Sequence, residues 1–371
     1  MSHLDRERLA QALALAEQAI GLSEPNPRVG CVIGLADGRV LATGHTQAAG
    51  QAHAEAAALA QARERGVDVR GATAWVTLEP CAHHGRTPPC ADALVAAGLA
   101  RVVVGVGDPF DQVAGRGISR LRAAGIQVDD ASSLGLDDLA LACRELNIGF
   151  FSRCERQRPW VRLKAAASLD GRTALPDGTS QWITSEPARK DGHAFRRRAG
   201  AVLSGIGTVL EDNPRLDVRW VPTQVQPVRV IVDSHLMTPL DAQVLAPPGA
   251  VWLAHAADEP ARAQALAARG AELMHLPGAG GKVDLAALMH ELARRQVNEL
   301  HVEAGHKLNA SLLKAGLVDE LLLYLAPTFL GEGREIAAIG RLASLADAPR
   351  WRFTSLQPCG PDIRLMLRPA L

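Results

Sequence analysis

Apolar residues recur at helical spacing from Leu4 to Leu22, which predicts an opening helix. Pro25-Asn26-Pro27-Arg28 ends it, because each proline disfavours helix in the residue before it. Val29 to Gly34 and Val40 to Thr43 are short apolar runs around Ala36-Asp37-Gly38, a hairpin signal. Ala52 to Arg65 predicts a helix stopped by Gly66, and Thr73 to Leu78 a strand. Pro89 to Ala97 predicts a helix with proline in its first turn and Gly98 beyond its end. A strand over 101–106 and helices over 117–124 and 136–150 follow. Helices alternating with strands predict a three-layer α/β unit.

The charged run from Arg153 to Arg158, closed by Pro159, predicts a linker. Domains are therefore expected over 1–152 and 158–371. The second part again alternates. Strands are predicted at 160–167, 201–205, 228–232, 250–254, 299–302 and 320–325, and helices at 186–198, 260–269, 284–295 and 306–314. The tail, 352–355 with 362–367, reads as a closing antiparallel pair. There is no internal repeat.

The chain has 371 residues, enough for two or three domains. Lys+Arg and Asp+Glu are both 40, so binding by wholesale neutralisation of a phosphate backbone is not expected. Aromatics are only 4%, too few for a single-strand stacking platform. No run reaches the roughly 18 apolar residues of a membrane span, and the charged start from Met1 to Glu7 lacks a leader's apolar segment. Six cysteines are no disulfide framework. Cys31, Cys143, Cys154 and Cys359 read as reduced thiols, and a cytoplasmic location is expected.

Cys81 and Cys90 stand apart from the other four. His53-Ala54-Glu55 opens a predicted helix, Glu79-Pro80-Cys81 follows a predicted strand, and Cys90 opens the next helix. One imidazole and two thiolates suit a tetrahedral Zn²⁺ whose fourth position is left for water. Helix N-termini near both sulfurs favour thiolates. Glu55, two residues past His53, is placed to carry a proton from water to a leaving amine. This matches the H-x-E…P-C half of a zinc deaminase signature. The usual P-C-x-x-C is broken, since eight residues separate Cys81 from Cys90. A closed structural zinc using His83 or His84 is the alternative.

The segment from Glu79 to Cys90, with Pro25 to Gly30, Asp108-Pro109 and Val113 to Gly117, resembles the bifunctional riboflavin-biosynthesis deaminase–reductase family. The long cysteine loop belongs to that family's pattern. The resemblance implies a cytidine-deaminase-like first domain acting on a diaminopyrimidinone ribosylamine phosphate. It implies zinc on His53, Cys81 and Cys90, proton transfer by Glu55, and substrate contacts from Asn26 and His84. For Asn26 the rival reading is a turn residue. Arg86 either meets the substrate phosphate or braces the loop.

The second part lacks G-x-G-x-x-G after its first strand, so an ordinary dinucleotide fingerprint is absent. Gly278 to Lys282 does not fit a phosphate loop, because Val283 replaces the hydroxyl residue. The turn Gly305-His306-Lys307-Leu308-Asn309 follows a strand and opens a helix, where backbone N–H groups can hold a diphosphate. Gly205-Ile206-Gly207-Thr208 follows another strand, and Thr184 or Ser185 could cap a helix. These segments are similar to the family's dihydrofolate-reductase-like domain, which reduces the ribosyl group to a ribityl chain with NADPH. The resemblance implies NADPH contacts from Ala166, Trp182, Thr208, Asp212, Ser234 and the turn Gly305, His306, Lys307, Leu308, Asn309, Ala310, Ser311. It implies substrate contacts from Ser180, Arg196, Leu216, Arg219 and Glu303. Arg196 and Arg219 suit a phosphate, which a guanidinium binds bidentately. The expected partner is this small molecule, not nucleic acid or membrane, and a homo-oligomer is expected.

Overall fold

The computed structural model describes residues 2–82, 89–110 and 113–370. They form two compact units, Met1–Gln157 and Arg158–Leu371. The first unit holds α1 (Ser2–Ala16), β1 (Gly30–Gly34), β2 (Val40–His45), α2 (Ala54–Glu64), β3 (Thr73–Val76) and α3 (Cys90–Ala96). It continues with β4 (Arg101–Val104), α4 (Arg116–Ala123), β5 (Gln127–Asp130), α5 (Asp137–Leu146) and α6 (Ile148–Arg156). The sheet order is β2-β1-β3-β4-β5, with β1 antiparallel to both neighbours and β3, β4 and β5 parallel. Cys31, Ile33, Ala74, Val76, Val102 and Val104 point from the sheet into the core shared with α2, α3 and α4. Burying each of the larger ones, Ile33, Val76, Val102 and Val104, contributes about 1.5–3 kcal/mol.

Three expectations change here. The opening helix ends at Ala16 and passes into a 3₁₀ turn, Glu17–Ala19. The helix expected over 136–150 is two helices meeting at Asn147, whose φ of −109° lies outside the helical range. Its buried side chain bonds the Arg28 backbone N–H at 2.7 Å and carbonyl at 2.9 Å, so tertiary contact sets the break. The charged run expected as a linker completes α6 as far as Arg156. Arg153 lies 5.4 Å from the Phe150 ring centroid, and the basic last turn complements the helix dipole.

The second unit holds β6 (Trp160–Ser168), β7 (Arg172–Ala174), α7 (Glu186–Arg198), β8 (Ala201–Gly205), α8 (Ile206–Asp212), β9 (Val228–Val232) and β10 (Val251–His255). It continues with α9 (Pro260–Ala267), β11 (Ala271–His275), α10 (Leu285–Arg294), β12 (Glu299–Val302), α11 (His306–Lys314) and β13 (Glu320–Ala326). The last strands are β14 (Arg334–Glu335), β15 (Trp351–Cys359) and β16 (Asp362–Pro369). Nine strands run in the order β11-β10-β9-β8-β12-β6-β13-β16-β15, parallel except for the antiparallel closing pair. β5, β7, β11 and α8 were not expected. They are short or amphipathic, and periodicity over four or five residues does not separate a strand from a loop.

At the starts of β12 and β13, beside Arg162 of β6, lies an ionic cluster. Arg162 pairs with Glu299 at 2.9 Å and Glu320 at 2.6 Å, all three being fully buried. Arg198 and Arg368 complete it from α7 and β16. The clustered charges satisfy one another where water is excluded.

Candidate active sites

The first site is built where three chain segments converge. α2 lies directly on the end of β2: a Cβ on Gly44 would sit 2.3 Å from the Ala54 carbonyl oxygen. That close seat places His53, the residue capping α2, and Glu55 in its first turn. Cys81 follows β3, and Cys90 is the first residue of α3. Cys81 is thus not itself at a helix start. Its Sγ instead accepts the Cys90 backbone N–H, the first donor of α3, at 3.3 Å.

His53 Nδ1 lies 3.7 Å from Cys81 Sγ and 3.4 Å from Cys90 Sγ, and the three donor atoms lie within 4.8 Å of one another. A tetrahedral ion with bonds of about 2.3 Å to sulfur and about 2.0 Å to nitrogen spaces those atoms by about 3.5 Å. The residues present therefore fit Zn²⁺. Among the described residues they are the one such cluster, and it has three ligands. His83, His84 and Arg86 lie outside the described residues.

Without metal, the negative charge of the trio is centred on one sulfur. The Cys90 thiol donates to Cys81 and holds it as a thiolate, with its pKa down to about 4, while Cys90 itself is pushed up. Glu55 is buried, and burial together with the Cys81 charge raises its carboxyl to about 7. Asn26 lies before β1, whose first residue is bonded to Thr77 at the end of β3, so it stands at the same sheet edge as Cys81. Its backbone closes a turn with Ser23. Asp108, at the end of β4, is likewise raised to about 7 by burial.

In the second unit the C-terminal ends of β9, β8, β12 and β6 form one edge, where open α/β sheets bind ligands. Ser234, Thr208, Glu303 with the 305–311 turn, and Ala166 all come from these strand ends. Gly305 caps α11 in extended conformation without a side-chain cap, which leaves first-turn N–H groups for a diphosphate. A Cβ there would lie 3.7 Å from Thr208 Oγ1, so this turn faces the start of α8. The turn fits a dinucleotide. Asn309 is buried and donates to the Ile336 carbonyl at 2.8 Å, which makes it a brace for the turn. Ala310 is buried, whereas Lys307 and Ser311 are exposed. Ser234 Oγ accepts the Val283 N–H at 3.2 Å. Asp212 is exposed at the end of α8, and its carboxyl is raised by partial burial and by Glu211.

Glu303 is the centre of the other half. Arg196 grips it with two N–H groups, one at 2.9 Å, and turns its third nitrogen to the Asp217 carbonyl at 2.8 Å. Lys164 Nζ lies 3.9 Å away and His301 Nε2 3.2 Å away. Burial alone would raise the Glu303 carboxyl, but the Arg196 and Lys164 charges hold it well below its usual range. Three of the five Arg196 N–H groups are thus engaged by Glu303 and Asp217. Arg219, exposed and joined to Asp217 at 2.8 Å, presents its guanidinium to solvent. Leu216 is buried, with φ at 55°. Trp182 is 63% exposed and Ser180 half-buried. Arg189 stacks 4.5 Å from the Trp182 ring and 5.2 Å from that of Trp220. Ser185 stands at the start of α7, but its hydroxyl bonds Asp362 at 2.6 Å instead of capping the helix. Sequence reasoning missed Lys164 and Asp217. A lone lysine in the otherwise apolar run Leu163 to Ala167 was the available signal for Lys164.

Residues 2–106 match the cytidine and deoxycytidylate deaminase zinc-binding region, and residues 159–365 match the RibD C-terminal domain. Over 377 aligned positions the chain is 44% identical to riboflavin biosynthesis protein RibD of Escherichia coli K12, spanning 98% of this chain and 99% of that one. The chain belongs to the RibD family. RibD of Aquifex aeolicus is 39% identical over 98% of both chains. Among solved structures, Acinetobacter baumannii RibD (form 2) superposes with a TM-score of 0.88 at 38% identity, covering 100% of this chain and 99% of that one. A Thermotoga maritima diaminohydroxyphosphoribosylaminopyrimidine deaminase/5-amino-6-(5-phosphoribosylamino)uracil reductase gives 0.87 at 31%, with the same coverage. This RibD chain is therefore a riboflavin-biosynthesis enzyme that joins a zinc-binding, cytidine-deaminase-like region to an NADPH-using reductase domain. No described helix is long and apolar enough to cross a membrane.

Proposed function

We propose that residues 1–152 deaminate a diaminopyrimidinone ribosylamine phosphate and that residues 158–371 reduce the ribosyl group of the product to a ribityl chain. The observation that carries the reading is the convergence of His53, Cys81 and Cys90 beside a buried Glu55. His53, Cys81 and Cys90 would hold Zn²⁺, which when bound would activate a water to attack the amino-bearing ring carbon. Glu55 takes the proton from water and delivers it to the departing nitrogen, so the amino group leaves as ammonia. Asn26 and His84 would orient the pyrimidine.

In the reductase, NADPH when bound would supply hydride to the sugar C1′, while the bond from C1′ to the ring oxygen opens and that oxygen takes a proton from solvent. The Gly305 to Ser311 turn and Thr208 would seat its diphosphate, with Ala166, Trp182, Asp212 and Ser234 framing the rest. Glu303, fixed by Arg196, accepts hydrogen bonds from sugar hydroxyls, while Arg219, Ser180 and Leu216 shape the phosphate end. Cytoplasmic residence is supported by cysteines that form no disulfide among the described residues. The absence of a nucleic-acid partner is supported by the neutral charge balance. A homo-oligomer is supported by Phe353 and Leu356, exposed on the edge strand β15.

The test is product analysis with Glu55→Gln. The variant keeps zinc and loses deamination by about 10²–10⁴-fold, the usual contribution of general acid–base catalysis. Supplied with deaminated substrate and NADPH, it still forms the ribityl product. Undiminished deamination would remove Glu55 from the mechanism.

A further inference from the structure

The structure assigns Glu79 a positioning role for the zinc ligands, exercised through helix α4; this rests on the reading of His53, Cys81 and Cys90 as those ligands. In a P-C-x-x-C segment the two sulfurs lie within one turn, and local geometry sets their separation. Here eight residues intervene. The two cysteines therefore need support from elsewhere in the fold, and α4 supplies it while contributing no ligand.

Glu79 stands two residues before Cys81 and is 4% exposed. Its Oε2 accepts the Gly115 N–H at 3.0 Å and the Asp108 N–H at 3.3 Å, and its Oε1 accepts the Ile118 N–H at 3.1 Å. One carboxylate thereby ties the cysteine segment to the first turn of α4 and to the end of β4. A Cβ on Gly117 would lie 1.9 Å from the Pro80 carbonyl oxygen, so α4 rests backbone to backbone on the residue preceding Cys81. Arg120 then donates to the Ala82 carbonyl at 3.3 Å, on the other side of Cys81. The same guanidinium pairs at 2.5 Å with Asp92, two residues past Cys90. Contacts from one helix thus bracket Cys81 and reach the cysteine that opens α3. α4 lies wholly beyond residues 2–106, the part matching the zinc-binding region. Groups that orient metal ligands without touching the metal typically alter affinity 10–100-fold.

The experiment uses the full chain stripped of metal. Zn²⁺ is titrated against a chromophoric chelator, and Co²⁺ is added separately to read ligand geometry from its absorption bands. The parent chain should bind one Zn²⁺, and His53→Ala should abolish that binding. Glu79→Gln keeps the side chain's size but turns an amide towards three N–H donors. It should weaken Zn²⁺ by about 10–100-fold and shift the Co²⁺ bands, while the metal-free chain still folds, with a lower melting temperature. Glu79→Asp should recover part of the loss. Arg120→Ala, which removes a largely solvated pair, should cost a few-fold at most. Zn²⁺ affinity within twofold of the parent and unchanged Co²⁺ bands in Glu79→Gln would overturn the role. Should Glu79→Gln not fold, Gly117→Ala and Arg120→Ala decide, and no weakening in either overturns it. Binding that survives His53→Ala instead overturns the ligand assignment, and the role of Glu79 with it.

Discussion

Gly44→Ala tests whether the seat of α2 on β2 sets the deaminase geometry. The new methyl would stand 2.3 Å from the Ala54 carbonyl oxygen and 2.5 Å from the Ala58 nitrogen, both backbone atoms of α2. Ordinary contact requires about 3.4 Å, so the helix must recede by about 1 Å. His53 and Glu55 move with it, whereas Cys81 and Cys90 stay with β3 and α3. The spacings of 3.7 and 3.4 Å from His53 Nδ1 to the sulfurs open by a comparable amount. A displacement of this size at reacting groups costs about 100-fold in rate, or about 2.7 kcal/mol in the barrier. Overpacking costs a further 1–3 kcal/mol or so of stability, which leaves the unit folded. The assay compares deamination with NADPH-dependent reduction in one preparation. Deaminase kcat/KM and Zn²⁺ affinity should fall while reduction is unchanged. Deaminase kcat/KM within threefold of the parent would refute the reasoning.

Three further outcomes are expected. Chelation of zinc should abolish deamination and spare reduction, as the two assays run in parallel will show. Arg162→Met should destabilise the reductase unit by about 3–5 kcal/mol in denaturant unfolding, because it leaves Glu299 and Glu320 short of a buried partner; Glu320→Gln in that background should restore part of the loss. His193 is held down to about 4, first by burial and then by Arg196 and Arg219, against about 6.5 in an unfolded chain. The unfolded chain binds the extra proton between those values, so reductase stability should fall by up to about 3 kcal/mol as pH drops from 6.5 to 4. His193→Gln should flatten that profile.

The zinc trio was legible because its chemistry is rare and each residue sits at an element boundary that proline, glycine or periodicity marks. Glu55 was legible by its spacing from His53. Glu79 carries no signal of its own within the cysteine segment, since nothing local reveals that its carboxylate caps a helix almost forty residues on. Arg196 illustrates the opposite case. Its residue type suggested a phosphate partner; in the fold Glu303 and the Asp217 carbonyl take three of its five N–H donors, and only the folded chain brings those groups together.

By itself the sequence determined the alternation of helices and strands and the ligand types that select zinc. These depend on neighbours in the chain, where side-chain period and backbone restriction act directly. Tertiary structure decided the break at Asn147, the helical ending of the first unit at Arg156, the short strands β5 and β11, and the clamps on Cys81 and Glu303. Each rests on a hydrogen bond or packing contact between residues far apart in the chain, and local periodicity carries no information about such contacts.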